Sequence, residues 1–315
     1  MTAARGSALA GLLLTAAWLA PAAGVRAQEA AADTAYSRNG ADTCIKCHDD
    51  TQVLSLFKTA HGSRGDPHSP FAAGQLQCEA CHGPGSAHAG RVRSGEPRPA
   101  ILNFGKGSGA PAARQNEACL GCHAGAVAGD WHAGAHEQAN VPCAGCHSVH
   151  APQDDVRTVD RQAAVCFDCH ARQRAEYAKP FHHPVEGNLM GCTGCHGPHG
   201  SSNEYSLRRA TANETCYTCH AEKRGPFLWE HAPVAEDCSN CHVPHGSTQP
   251  ALLTLRAPLL CQQCHSQAGH PSFAYGPEGL PGSGQPSSYL LAGSCLNCHA
   301  QVHGSNHPSG SRLTR

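Results

Sequence analysis

The sequence predicts a repeat array of mostly irregular coil with short α-helices and little or no β-sheet, packed around something other than aliphatic side chains. Three observations predict it. The 315 residues are 5% aromatic and 40% hydrophobic but include 34 Gly and 22 Pro, a poor composition for an ordinary packed core. One unit, C-x-x-C-H, recurs ten times and consumes all 20 cysteines. Its first cysteines stand 22 to 26 residues apart through the middle of the chain, with 34- and 41-residue intervals near the ends, so no single unit can build a domain.

The first residues address the chain. Arg5 precedes the apolar run "SALAGLLLTAAWLA", and Val25 and Ala27 in "VRA" supply small residues before Gln28. This is the layout of a secretory signal peptide over residues 1–27. The run is short for a membrane span of about 20 apolar residues, and the mature chain offers no transmembrane helix of its own. Without Arg5 and Arg26, the 23 basic residues fall to 21 against 24 acidic ones, which gives no support to nucleic-acid binding.

The units run as follows: Cys44, Cys47 and His48; Cys78, Cys81 and His82; Cys119, Cys122 and His123; Cys143, Cys146 and His147; Cys166, Cys169 and His170. Then come Cys192, Cys195 and His196; Cys216, Cys219 and His220; Cys238, Cys241 and His242; Cys261, Cys264 and His265; Cys295, Cys298 and His299. Disulfide scaffolds and zinc sites also use paired cysteines, but neither explains a histidine after every pair. Covalent c-type haem attachment does. Two thiols three residues apart form thioethers to one side of a porphyrin, and the adjoining histidine supplies an axial imidazole. The sequence therefore predicts a multihaem cytochrome c with ten covalently bound haems c, whose faces serve as the hydrophobic core. Folding is then coupled to haem attachment, and about two carboxylates per haem make the holoprotein more acidic than its polypeptide.

Each unit is expected to be a turn, a short helix and a haem. In "TANETCYTCHAEKRGP", Thr211 and Glu214 form a capping-box pattern and Gly225-Pro226 marks a helix stop. "AAVCFDCHARQRAEYAKP" reads similarly, ending at Pro180, while "GPEGLPGSGQPSS" at 276–288 is the clearest loop.

Beyond the ten proximal histidines, 14 of the 24 remain, and only Met1 and Met190 offer sulfur, so bis-histidine ligation is the economical expectation. His199 lies three residues beyond His196, too close to carry the chain around to the opposite face of the same haem. It is expected on a neighbouring haem, as are His150 and His245, which share its placement. His68 and His307 read as surface residues or hydrogen-bond partners. His132/His136 and His182/His183 each offer one ligand and one spare.

The stretch "CYTCHAEKRGPFLWEHAPV", followed by "CHVPHGS", "LCQQCH" and "SCLNCHAQVHGSNHPSG", resembles the MtrA family of periplasmic decahaem cytochromes, which includes metal-reduction, iron-oxidation and DmsE-type conduits. The similarity extends back through "CAGCHSVH", "LQCEACHGPGSAH" and "SLFKTAHGS". The resemblance implies distal ligands at His61, His88, His136, His150, His183, His199, His231, His245, His270 and His303, the last favoured over His307 by a shared His-Gly-Ser pattern. It also implies an elongated rod of two pentahaem halves, 28–185 and 186–315, forming one continuous haem-packed unit. The implied partners are an outer-membrane β-barrel porin that holds the chain, an outer-surface multihaem cytochrome, and periplasmic or inner-membrane cytochromes.

Three functions compete. An electron conduit through a barrel would break a bilayer core of about 30 Å into short steps between haems, and a barrel's polar lumen would shield a Gly- and Pro-rich rod from lipid. A soluble periplasmic shuttle to a terminal reductase needs the same haems and no barrel. A multihaem reductase needs an open iron, often marked by a departure from the motif histidine, and no unit departs.

Overall fold

The computed structural model describes residues 35–185, 187, 189–265 and 295–314. The signal-peptide segment, His270 and the loop at 276–288 lie outside the described residues. Within them there are no strands, only isolated bridges such as His196–Leu207 and His242–Leu253. The rest is short helices, 3-10 turns and coil. None of these helices is long and apolar enough to cross a membrane.

From the third unit on, the local structure repeats every two units rather than every one. Odd-numbered units enter from α-helix: Ala112–Trp131, Val159–Phe167, Ala212–Cys216 and Ala257–Gln262 each contain the first cysteine of a motif. Even-numbered units sit on 3-10 turns at Cys143–Gly145, Cys192–Gly194, Cys238–Asn240 and Cys295–Asn297. The expectation of a helix in every unit is thus corrected for these four. Pro142, Gly191 and Asp237 are extended immediately before three of the turns, so the chain arrives straight and has no helix to continue.

Even the odd-unit helices are shorter than the sequence suggests. Thr211 does cap its helix, its hydroxyl accepting from the Glu214 amide at 3.1 Å. The helix nevertheless ends at Cys216 and not at Gly225-Pro226, and the Glu214 carboxylate pairs with Arg224 at 2.7 Å instead of reaching back to the cap. The helix expected up to Pro180 divides into Val159–Phe167 and Ala171–Tyr177, separated at His170 (φ −91°, ψ 60°). The backbone also leaves the helical basin at His123 and His220. Each break falls at the motif histidine itself.

Buried amides fasten odd units to even ones. Asn116 accepts from the Cys143 amide at 2.7 Å and donates to the Val141 carbonyl at 3.2 Å. Asn213 accepts from the Cys238 amide at 2.6 Å and donates to the carbonyls of Val234 and Ala235. Gln162 accepts from the Thr193 amide at 2.9 Å and donates to Val156. All three are buried, and each bond satisfies backbone that no ladder or helix would pair.

Apolar packing is sparse. Among the described residues only Ala41, Leu56, Phe71, Ala72, Trp131, Ala163 and Val185 are buried hydrophobics. Ala41, Leu56 and Phe71 form a small cluster near the first two units. In place of a core the fold surrounds one continuous cavity of about 5850 Å³.

Candidate haem-binding site

All twenty cysteines and all ten motif histidines line that cavity. So do nine of the ten expected distal histidines, the tenth, His270, lying outside the described residues. Ordinary ligand pockets occupy about 300–1,000 Å³, so this volume suits several large cofactors in contact. His132, His182 and His307 are not on its walls, whereas His68 is.

The histidines face one another in pairs. Ring centres are 6.2 Å apart for His48 and His88, 5.9 Å for His123 and His61, and 6.2 Å for His82 and His150. The separations are 6.0 Å for His147 and His199, 6.1 Å for His170 and His136, and 6.0 Å for His196 and His245. His220 and His183 stand at 6.4 Å, His242 and His303 at 6.1 Å, and His265 and His231 at 6.1 Å. A metal–imidazole bond is about 2 Å, which puts two ring centres about 6 Å apart when the rings bind opposite faces of one metal. The donor set and its spacing therefore fit a bis-histidine haem at nine positions. The indole N–H of Trp131, buried on the cavity wall without an acceptor, suits a haem carboxylate.

The pairing is interlocked by a simple rule. His150, His199, His245 and His303 each follow an even-numbered unit and face the motif histidine of the even unit two before. His61, His136, His183 and His231 each precede an even unit and face the odd unit after it. His199 thus opposes His147 and not its neighbour His196. Of the crowded pairs, His136 and His183 face motif histidines, while His132 bonds to Glu137 at 2.9 Å and His182 packs on Tyr177. His307 accepts from the Ser309 amide.

Second contacts hold the rings. Nδ1 of His82, His196, His242 and His299 donates to the carbonyls of Leu102, Tyr205, Ala251 and Arg312. His136, His183 and His231 donate to Pro198, Pro244 and Val302, each the residue before another distal histidine. His88 donates to Pro99. These bonds leave Nε2 free for a metal and fix the ring plane. Burial pushes His61, His150, His199, His245 and His303 below the usual histidine range. That favours the neutral imidazole, the form that binds metal.

The glycine after several distal histidines has a steric cause. A Cβ on Gly200 would collide with the Asp130 carbonyl, and one on Gly246 with the Glu176 carbonyl. Backbone from the odd unit three before passes there at contact distance, which accounts for the glycines after His199 and His245.

The thiols show how successive units meet. First cysteines neighbour one another in pairs, close enough for their side chains to interact: Cys44 with Cys78, Cys119 with Cys143, Cys166 with Cys192, Cys216 with Cys238, and Cys261 with Cys295. Between those pairs, second cysteines lie within electrostatic reach: Cys81 with Cys122, Cys146 with Cys169, Cys195 with Cys219, and Cys241 with Cys264. Every unit is thereby linked to the next, by alternating edges.

A chain whose cysteines all fall in C-x-x-C-H units around one shared cavity is a multihaem c-type cytochrome that carries several covalent haems and transfers electrons. The doubled CXXCH motif matches residues 182–225 and 231–270, the same two-unit period, and a cytochrome c-type NrfB-like family matches 78–164. The chain is 49% identical over 282 residues to the multiheme cytochrome MtrA of Shewanella baltica, covering 89% of this chain and 83% of that protein. It belongs to the MtrA family. Similarity to cytochrome c-type protein NrfB is lower: 28% over 148 residues for Escherichia coli O6:H1, covering 45% of this chain and 71% of that protein. For the Haemophilus influenzae protein it is 28% over 152 residues, 43% of this chain and 67% of the other.

Sequence reasoning missed Asn116, Asn213 and Gln162, which seat the motifs, and two carboxylates, Asp154 and Glu176, that bond to ring nitrogens. The two asparagines had a signal: "NEAC" and "NETC" place Asn three residues before the first cysteine.

Proposed function

We propose that the chain carries ten haems c, each with the motif histidine and one distal histidine as axial ligands, and conducts electrons through an outer-membrane β-barrel between periplasmic and extracellular partners. The observation that carries this reading is the unbroken alternation of neighbouring first cysteines and neighbouring second cysteines from Cys44 to Cys295. Haems anchored at such points would form a single file, and electrons would pass by short steps from one end to the other. Paired histidines close each iron to substrates, which favours a carrier over an enzyme. His270 is the ligand proposed for the tenth haem.

Export by residues 1–27 would deliver the chain to the periplasm. The halves 28–185 and 186–315 would act as one unit, because His199 faces His147 and His183 faces His220 across the boundary. The proposed partners are a barrel porin, an outer-surface multihaem cytochrome, and periplasmic or inner-membrane cytochromes as donors or acceptors.

The test is current across a bilayer. Liposomes enclosing a redox dye receive the barrel, with or without the cytochrome, and then an external reductant that cannot cross. Dye reduction should require the cytochrome and slow when Cys192 and Cys195 are replaced. A chain that binds no barrel but exchanges electrons freely with periplasmic proteins is instead a soluble shuttle.

A further inference from the structure

Ten of the paired or motif histidines have a hydrogen bond at Nδ1, and eight of those bonds go to backbone carbonyls. Two go to carboxylates. His147 Nδ1 lies 2.6 Å from Asp154 Oδ2, and the other carboxylate oxygen accepts from the Ser148 amide at 3.1 Å. His245 Nδ1 lies 3.1 Å from Glu176 Oε2. Both carboxylates are largely shielded, with side-chain exposures of 19% and 15%. Shielding strengthens an ionic hydrogen bond relative to one in water. Glu176 also meets the exposed Arg172 at 3.1 Å, whereas no basic side chain is paired with Asp154 among the described residues.

On the reading that His147/His199 and His196/His245 ligate the fourth and sixth irons, we infer that Asp154 and Glu176 lower the reduction potentials of those two haems. An anion drawing on the Nδ1 proton gives the imidazole partial imidazolate character and makes it a stronger donor to iron. A stronger donor stabilises ferric iron, with its higher charge, more than ferrous iron. In the couple concerned, Fe(III) takes one electron from a reduced neighbouring haem and becomes Fe(II), while the Nδ1 proton stays in its hydrogen bond. Among the described residues the other ring hydrogen bonds end on neutral carbonyls, and Glu222, 3.9 Å from His220 Nδ1, is exposed and beyond hydrogen-bond distance, so the lowering is greatest at two positions inside the file. Asp154 exerts the larger effect, because Arg172 offsets part of the charge on Glu176. Both are positioning and tuning residues; neither touches the iron.

Asp154→Asn removes the charge and nearly preserves the shape. Asp155→Asn is the control: it removes the same charge one residue away, where Asp155 pairs with Arg161 at 3.1 Å and not with a ligand. Potentiometric titration and low-temperature electron paramagnetic resonance would be run on haem-loaded protein, with haem counted chemically. The expected result for Asp154→Asn is one component raised by about 59 mV, a tenfold change in that haem's reduced-to-oxidised ratio. About a tenth of the low-spin resonance should change its g values, and Asp155→Asn should do neither. Glu176→Gln should give a smaller upward shift of a different component, and it carries the test if Asp154→Asn does not accumulate. No shift, or equal shifts in Asp154→Asn and Asp155→Asn, overturns the inference. High-spin irons in the unaltered chain would instead overturn the ligand assignment on which it rests.

Discussion

The fastening of one haem unit to the next rests on a single buried side chain at several joints, and Asn213 shows how much such a joint holds. Replacing it with alanine strands three backbone groups at once: the Cys238 N–H that it accepts from and the two carbonyls of Val234 and Ala235 that it donates to. Leaving a buried polar group unpaired costs about 1–3 kcal/mol. Ala235 is exposed and its carbonyl can turn to water, so at the low end of that range for the other two groups Asn213→Ala should cost about 2 kcal/mol locally. The assay is amide hydrogen exchange on the haem-loaded protein, read at the peptide containing Cys238, because exchange reports local opening rather than one global transition. A cost of about 2 kcal/mol corresponds to exchange faster by about thirtyfold, at tenfold per 1.4 kcal/mol. Asn240 is the control: it is exposed and its side chain makes a single bond, to the Pro233 carbonyl. Its replacement by alanine should change exchange by no more than a few fold. If Asn213→Ala accelerates exchange less than fivefold, or no more than Asn240→Ala does, the joint does not depend on that amide.

Two further outcomes follow from the histidine pairing. His199→Ala should convert one haem to a high-spin species, and that haem should be the one attached through Cys143 and Cys146, not the one through Cys192 and Cys195; His182→Ala should leave the visible spectrum unchanged. Gly246→Ala forces a Cβ against the Glu176 carbonyl, so it should displace His245 and produce one high-spin haem, whereas Gly65→Ala, in open space, should not.

Much of this site was legible because thioether chemistry fixes a spacing. Two cysteines and a histidine in a row admit few alternatives, and ten rows without a stray cysteine admit fewer. Of the two crowded pairs, it is the rings of His136 and His183 that face His170 and His220. The alternation of helix and 3-10 turn was not legible, since all ten motifs look alike locally. It depends on what precedes each one, such as Pro142 or Gly191, and on an amide arriving from another unit. Helix length was overestimated at His170 and His220 because capping and propensity stop at the backbone, and the break serves a group the polypeptide does not encode. Which distal histidine faces which motif could not be read from one-dimensional spacing. His61 faces His123 across the whole second unit.

That two-unit period makes a strong demand on any shortened version of the chain. Excising residues 183–230 removes the sixth and seventh units together, so that His231 follows His182. On the proposed assignment every remaining iron keeps two ligands. His245 loses its own partner, His196, and inherits the place of His199 opposite His147. His231 still serves His265, His303 still serves His242, and His183 departs with His220. One repair is needed at the seam. Gly191 lies against Gln162 where a Cβ would clash, and Asp237 would arrive there, so the shortened chain should carry Asp237→Gly. It should then accumulate with eight haems, all low-spin. Excising only residues 197–220 removes one unit and takes His199 away from His147 with nothing to replace it, while His183 is left without a haem. That chain should hold nine haems, at least one of them high-spin, and its alternation of first-cysteine and second-cysteine contacts would fail at the cut. If instead the single-unit deletion is fully low-spin and the double one is not, the repeat is one haem long and the interlocking order derived from the ring pairs is wrong.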